Sequence, residues 1–302
     1  MGFQRVLVTG ATGFLGWNCA RAFSARGLVV SATYHAAPPP EAPWRWLPLD
    51  LATSPTIRFQ DYDAVIHCAA MSSVHSCHAQ PALAMRVNRD GTRALAEAAA
   101  ANGTAFVYIS TDLVFDGRDG WYTENDVPQP PSVYAQSKYE GEAAALESGG
   151  RVIVLRTALM YGPSRNGPGG FLSWTLPALH ARDELRLYAN QFRTPLYAPD
   201  VPALLVPLLE RVENAGIYHA AGPDRLSREE MGRIISEESH ISDPRITSAL
   251  FERGEDACPI DDTSLRTEKL RLATGFIFTD FRTGIRDTMR DAQPVHSSHR
   301  TA

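Results

Sequence analysis

The stretch Val6-Leu-Val-Thr-Gly10-Ala-Thr-Gly13-Phe-Leu-Gly16 constrains the fold of this chain more than any other. An apolar, β-branched run from Arg5 to Thr9 leads into three glycines spaced three apart, and a helix-compatible stretch follows from Leu15 to Arg26. A strand that enters a helix through such a turn is the phosphate-binding opening of a βαβ unit. Gly10 permits the tight turn, Gly13 lets the backbone approach a pyrophosphate, and Gly16 lets the helix lie close to the strand, with the helix N-terminus facing the phosphates. Gly10, Thr12, Gly13, Phe14, Leu15 and Gly16 are therefore candidate dinucleotide-binding residues.

The rest of the chain repeats the alternation. Short apolar runs recur at 28–33, 46–49, 64–68, 105–110, 152–156 and 217–220, separated by helical, often alanine-rich stretches at 81–102, 132–147 and 201–213. Continuous apolar strands between helices predict a parallel sheet covered on both faces, which is a doubly wound α/β (Rossmann) fold. The regular texture breaks at Tyr161–Gly170, with two prolines and four glycines, and again at Gly222-Pro223. The expected organisation is a dinucleotide-binding domain from 1–159 plus 191–221, a smaller interleaved α/β substrate lobe from 160–190 plus 222–291, and a flexible tail at 292–302. Ser227 followed by Glu230 has capping-box spacing and starts a helix in that lobe.

Composition removes several function classes. Against 34 acids the 302 residues carry 29 Lys and Arg, a formal charge of −5. That leaves no large basic field for a nucleic acid backbone. Four cysteines, at 19, 68, 77 and 258, are too sparse for a disulfide scaffold. No apolar run reaches the roughly 18 to 20 residues that span a bilayer, and only Met1 to Arg5 precede the first strand, so no membrane partner and a cytoplasmic location are expected. His67, Cys68, His75, Cys77 and His78 crowd together but match no zinc spacing, and neighbours within a strand point to opposite faces, so no metal is expected.

Two further features carry chemistry. Where NAD enzymes place a ribose-binding acid at the end of the second strand, this chain reads Thr33-Tyr34-His35. The missing acid removes repulsion against a 2′-phosphate, so NADP(H) is preferred as cofactor, with NAD(H) also allowed and Thr33, Tyr34 and His35 near the phosphate. Ser132-Val-Tyr134-Ala-Gln-Ser-Lys138 puts Tyr134 and Lys138 one helical turn apart on one face. A nearby ammonium favours the phenolate and so eases proton donation by Tyr134 to a carbonyl oxygen. Thr111 closes the strand that ends Tyr108-Ile-Ser110-Thr111-Asp112, where ligands bind in open parallel sheets, and its hydroxyl can reach the same oxygen.

Together the glycine turn, the Tyr-x-x-x-Lys pair and the hydroxyl residue ahead of it resemble the extended short-chain dehydrogenase/reductases. Ser110-Thr-Asp-Leu-Val-Phe-Asp-Gly117 is similar, more narrowly, to the signature of the dTDP-4-dehydrorhamnose reductase group. The likeness continues through Val87–Thr92, Leu155–Gly162, Arg193–Asp200 and Tyr218–Gly222. The resemblance implies a catalytic set of Thr111, Tyr134 and Lys138, with Asn88 holding a helix and a proton-relay water. It implies Asp50, Leu51, Cys68, Ala69 and Ala70 along the adenine and ribose, and Thr157 near the nicotinamide. Ser72, Asp112, Tyr161 and Arg193 are the substrate candidates, Arg193 because arginine grips a diphosphate bidentately.

The function implied is NAD(P)H-dependent reduction of a nucleotide-activated 4-keto-6-deoxy sugar, by a soluble and often homodimeric enzyme. Two rivals share the scaffold. One is a non-catalytic NAD(P)-binding subunit like the regulatory subunit of methionine adenosyltransferase. The other is a sugar-nucleotide epimerase or dehydratase; dehydratases tend to place two acids after the catalytic Thr, where this chain has Asp112 and then Leu113. Near the C-terminus, Cys258-Pro259 replaces an Arg-Pro common in the reductases.

Overall fold

The computed structural model describes residues 3–37, 43–53, 57–211, 215–252 and 260–292; the proline run at 38–40, Cys258-Pro259 and the tail from 293 lie outside them. In chain order the first half forms β1 (Arg5–Thr9), α1 (Phe14–Ala25), β2 (Val29–Tyr34), β3 (Arg45–Pro48), β4 (Ala64–His67), α2 (Val74–Ala79), α3 (Pro81–Met85), α4 (Gly91–Ala101), β5 (Ala105–Thr111), α5 (Val133–Leu146) and β6 (Val152–Thr157). The second half forms β7 (Met160–Ser164), β8 (Gly167–Gly170), α6 (Leu172–Ala181), β9 (Leu185–Tyr188), β10 (Phe192–Arg193), β11 (Leu196–Tyr197), α7 (Asp200–Glu210), β12 (Gly216–Ala220), β13 (Leu226–Ser227), α8 (Arg228–Glu238), β14 (Ile246–Ala249), α9 (Glu268–Thr274) and α10 (Phe281–Ala292).

Seven strands make one sheet in the order β12-β6-β5-β4-β1-β2-β3, every pairing parallel. All seven runs expected from the sequence are in it. Alternation along the strands feeds two cores: Val6, Val8, Ile66 and Val107 face one side with Phe23 and Leu204, while Leu7, Val65, Phe106 and Tyr108 face the other with Leu95. Fully burying each such aliphatic side chain contributes about 1.5–3 kcal/mol. Strand order runs outward in both directions from β1 and β4, so a crevice opens between their carboxyl ends.

Beyond β6 a third core gathers Tyr161, Phe171, Leu187, Met231, Phe281 and Ile285. The segment 222–291 divides between cores: Phe281 and Ile285 belong to this third one, whereas Leu265 and Leu270 pack on the sheet side. The glycine- and proline-rich stretch after Met160 is an antiparallel hairpin, β7 with β8. Gly169 and Gly170 make room for the Phe14 ring, from the first glycine turn; a Cβ on Gly169 would lie 2.5 Å from that ring. Ser227 and Glu230 complete the capping box of α8, each side chain bonding the other's backbone N–H.

The long helix expected at 81–102 forms, but it is not α-helical throughout. A π-helical turn over Arg86–Asp90 separates α3 from α4. Close packing surrounds the turn: a Cβ on Gly91 would lie 2.8 Å from the Leu51 carbonyl oxygen, and within the helix the Asn88 carbonyl accepts the Thr92 hydroxyl at 2.7 Å. Such π turns often sit at functional sites.

Candidate functional site

A cavity of about 560 Å³ opens at the carboxyl ends of β1, β2, β4, β5 and β6. The glycine turn forms one end. Gly10 has φ +66°, and a Cβ there would lie 2.7 Å from Ala69 Cα, so only glycine fits. Gly13 is the N-cap of α1 and supplies no side-chain cap, so the first amides of α1 remain available to an anion, where the helix dipole favours one. Thr33 Oγ1 accepts the Gly10 N–H at 3.0 Å and steadies the turn from β2. A backbone cradle that any Cβ would fill, beneath an uncapped helix, fits a dinucleotide pyrophosphate.

Tyr34, His35, Cys68, Ala69 and Ala70 line the same cavity. Asp50 does not; it lies with His35 on an adjoining depression of about 430 Å³. His35 Nε2 is 3.8 Å from Asp50 Oδ1, both exposed. Arg45 and Arg58 border that depression, two cations the local sequence after β2 gave no sign of. Leu51 faces the core instead of the cavity.

Thr111, Tyr134, Lys138 and Thr157 converge midway along the cavity. α5 starts where Ser132 accepts the Ala135 N–H, which fixes the register of Tyr134 and Lys138. Lys138 is buried, with Nζ 2.7 Å from the Ile109 carbonyl and 4.1 Å above the Tyr108 ring. Burial pulls its pKa down to about 7, against the opposing pull of Glu142. The Thr111 hydroxyl donates to Asp112 Oδ1 at 3.1 Å and accepts the Leu113 N–H at 3.2 Å, while that of Thr157 donates to the Ser110 carbonyl at 3.0 Å.

The far end carries charge. Asp112, Arg193 and Arg228 line the cavity there, and Ser72 is also among the lining residues. Asp112 is buried, accepts the Thr263 hydroxyl at 2.6 Å and lies 3.9 Å from Arg193 Nε. Burial pushes its carboxyl up, and Arg193 pulls it back down. Arg228, the first residue of α8, was not read from the sequence, although the capping box beside it marks the place. Burial, then the neighbouring Arg193 charge, pull it down to about 9.

Besides Asp50 and Leu51, two more expected residues are elsewhere. Tyr161 is fully buried in the third core, edge-on to Phe281 and beside Tyr197, because it lies within β7 facing α10. Asn88 sits behind the cavity on the π turn. Its amide bonds both backbone groups of Met71 (2.8 and 3.0 Å) and donates to Ser137 Oγ at 2.9 Å, tying the loop after β4 to α5. The dense His and Cys stretch has its own structural explanation: His67 is held between the hydroxyls of Thr9 (2.7 Å) and Thr92 (3.1 Å), and burial lowers it to about 3. Among the described residues no three His, Cys, Asp or Glu side chains are grouped to hold a metal, and no helix is long and apolar enough to cross a membrane.

Residues 4–293 match the family described as the RmlD substrate binding domain. Among curated relatives, the dTDP-4-dehydrorhamnose reductase of Aggregatibacter actinomycetemcomitans is 32% identical over 250 residues, 78% of this chain and 79% of that protein. The methionine adenosyltransferase 2 subunit beta of Xenopus laevis is 28% identical over 302 residues, 95% and 87% of the two chains. MoeE5, solved in complex with UDP-glucuronic acid and NAD, superposes with a TM-score of 0.79 at 25% identity, covering 96% of this chain and 100% of that one.

Proposed function

The chain belongs to the RmlD substrate-binding-domain family, and from that premise we propose that it is an NAD(P)H-dependent reductase of a nucleotide-activated 4-keto-6-deoxy sugar. The observation that carries this reading is one cavity lined by three sets of residues: a pyrophosphate cradle, the Thr111–Tyr134–Lys138 set, and the cations Arg193 and Arg228. The nicotinamide cofactor, when bound, supplies the hydride. Tyr134 protonates the oxygen that becomes the sugar hydroxyl, the Lys138 ammonium stabilises the phenolate left behind, and Thr111 orients the carbonyl. Arg193 and Arg228 hold the substrate diphosphate. Asp112 is engaged by Thr111, Thr263 and Arg193, which favours simple reduction over dehydratase chemistry needing a free acid there.

NADP(H) is the preferred cofactor in this reading, because β2 ends in Tyr34 with His35 after it and no acid at either position, and Arg45 and Arg58 stand beside Asp50 and Asp61 on the adjoining depression. A homodimer in solution and a cytoplasmic location complete it. The test is oxidation of NADPH by purified protein with a panel of keto-sugar nucleotides. A second reading, a regulatory cofactor-binding subunit, draws on the 28% identity to the methionine adenosyltransferase beta subunit. It predicts cofactor binding without turnover and capture of a catalytic partner.

A further inference from the structure

The face of α5 that carries Tyr134 and Lys138 continues one turn deeper to Glu142, so the three residues stand at steps of four on one stripe. The two deeper side chains meet consecutive residues of β5. Lys138 Nζ donates to the Ile109 carbonyl at 2.7 Å, and Glu142 Oε1 accepts the Ser110 hydroxyl at 2.5 Å. Glu142 is 1% exposed and is gripped by Arg156, 2% exposed, whose Nε and Nη2 donate at 3.0 and 2.7 Å. Arg156 comes from β6, opposite Ser110 in the sheet register, and its guanidinium lies over the Phe115 ring at 5.2 Å.

A buried ion pair is weak support for stability, since apolar residues of the same shape often do as well. Its place beside Lys138 gives it another role. The other titratable groups around the Lys138 ammonium are the aromatic Tyr108 on β5, Tyr134 one turn up α5, the Cys68 and Cys77 thiols from the end of β4 and from α2, and buried His67 on β4. Glu142 is the carboxylate in that set, and its pull opposes the desolvation of Lys138. Arg156 opposes Glu142 in turn.

We propose that the Glu142–Arg156 pair is a positioning device for Lys138: the Glu142 carboxylate keeps the buried ammonium charged, and Arg156 limits how strongly it does so. The inference rests on Lys138 as the cation beside the proton donor, yet it concerns the lysine itself and is measurable without turnover.

The chain has only two lysines, Lys138 and Lys269. Protein labelled with carbon-13 at lysine Cε gives two NMR signals, and Lys269→Arg identifies the one from Lys138. Its titration midpoint in Glu142→Gln is expected to fall by one pH unit or more, and in Arg156→Met to rise by a similar amount. Opposite shifts from the two halves of one salt bridge are not what a merely structural contact produces. Both variants are checked for native near-ultraviolet circular dichroism. If either does not fold, the double variant Glu142→Gln/Arg156→Met, which strands no charge, replaces it and is expected to lower the midpoint by less than the full unit. Shifts in one direction for both single variants, or an unmoved midpoint in a folded variant, overturn the proposal. If the midpoints move as stated but the alkaline limb of kcat does not follow them, the pair acts on Lys138 as proposed and it is the role of Lys138 in turnover that fails.

Discussion

Arg228 sits where three electrostatic effects work against it. It is partly withdrawn from water, it neighbours the like charge of Arg193, and it occupies the first position of α8, at the positive end of that helix dipole. Its guanidinium lies over the Phe171 ring at 5.2 Å, an aromatic contact that offsets part of the cost. Asp112 is the neighbouring carboxylate, and Arg193 shares it, so two cations face one acid and the surplus positive charge is organised for an anionic ligand. Arg228→Met keeps most of the side-chain volume and removes the charge. The depression to about 9 converts to a few kcal/mol; because the side chain still faces the open cavity, about 1–2 kcal/mol survives as destabilisation of the ligand-free protein. Since a depressed lysine-like or arginine-like pKa means that folding disfavours the charged form, the penalty applies at every pH below the folded value, neutral pH included. The variant is therefore expected to melt about 2–8 °C higher than the parent in differential scanning calorimetry at neutral pH. Against that gain it loses one charge-assisted contact to a diphosphate, about 1.5–3 kcal/mol. KM for the sugar nucleotide should rise about 10- to 100-fold, while the Kd for NADPH by fluorescence titration stays within twofold. An unchanged KM together with a lower melting temperature would show that Arg228 is a packing residue and that the anion site has been misread.

Three other outcomes follow from the geometry. Tyr134→Phe is expected to lower kcat by at least 100-fold, the usual range for losing a positioned proton donor, while NADPH still binds; near-native turnover would show a different acid at work. Gly141→Ala should destabilise the protein by about 1–3 kcal/mol, because the added Cβ would meet the Tyr108 hydroxyl and lie 2.5 Å from the Asn88 carbonyl oxygen; thermal unfolding measures this, and an unshifted melting temperature would mean that α5 yields freely. Removing both Arg45 and Arg58 should weaken NADPH more than NADH by about tenfold, on the order of one charge-assisted contact; equal losses for the two cofactors would place the 2′-phosphate elsewhere.

Much of the sheet was legible because a parallel strand buried on both faces must be apolar throughout, and Val6 to Val8, Ala64 to Ile66 and Ala105 to Ile109 have no other reading of comparable economy. The glycine turn and the Tyr134–Lys138 pair were legible for a similar reason: each is local, with its meaning contained in a few residues of spacing. What depended on distant contacts was not. The π turn at Asn88 leads into Gly91, packed close on distant Leu51. Tyr161 looked like a site residue by its place in a motif, but strand alternation in β7 turns it to the Phe281 side while Met160 lines the cavity. Arg228 and the Glu142–Arg156 pair depend on which residues a strand or helix start brings together across more than ten positions of sequence, and no local pattern announces that.

Reduction of a nucleotide-bound keto sugar in this cavity is measured by following NADPH absorbance as purified protein meets a nucleotide-linked 4-keto-6-deoxy sugar. The expected result is one NADPH oxidised per sugar reduced, with the rate abolished by Tyr134→Phe in protein that still binds cofactor. Tight cofactor binding with no oxidation across the whole panel of keto-sugar nucleotides, alongside stable capture of a methionine adenosyltransferase catalytic subunit, would contradict it.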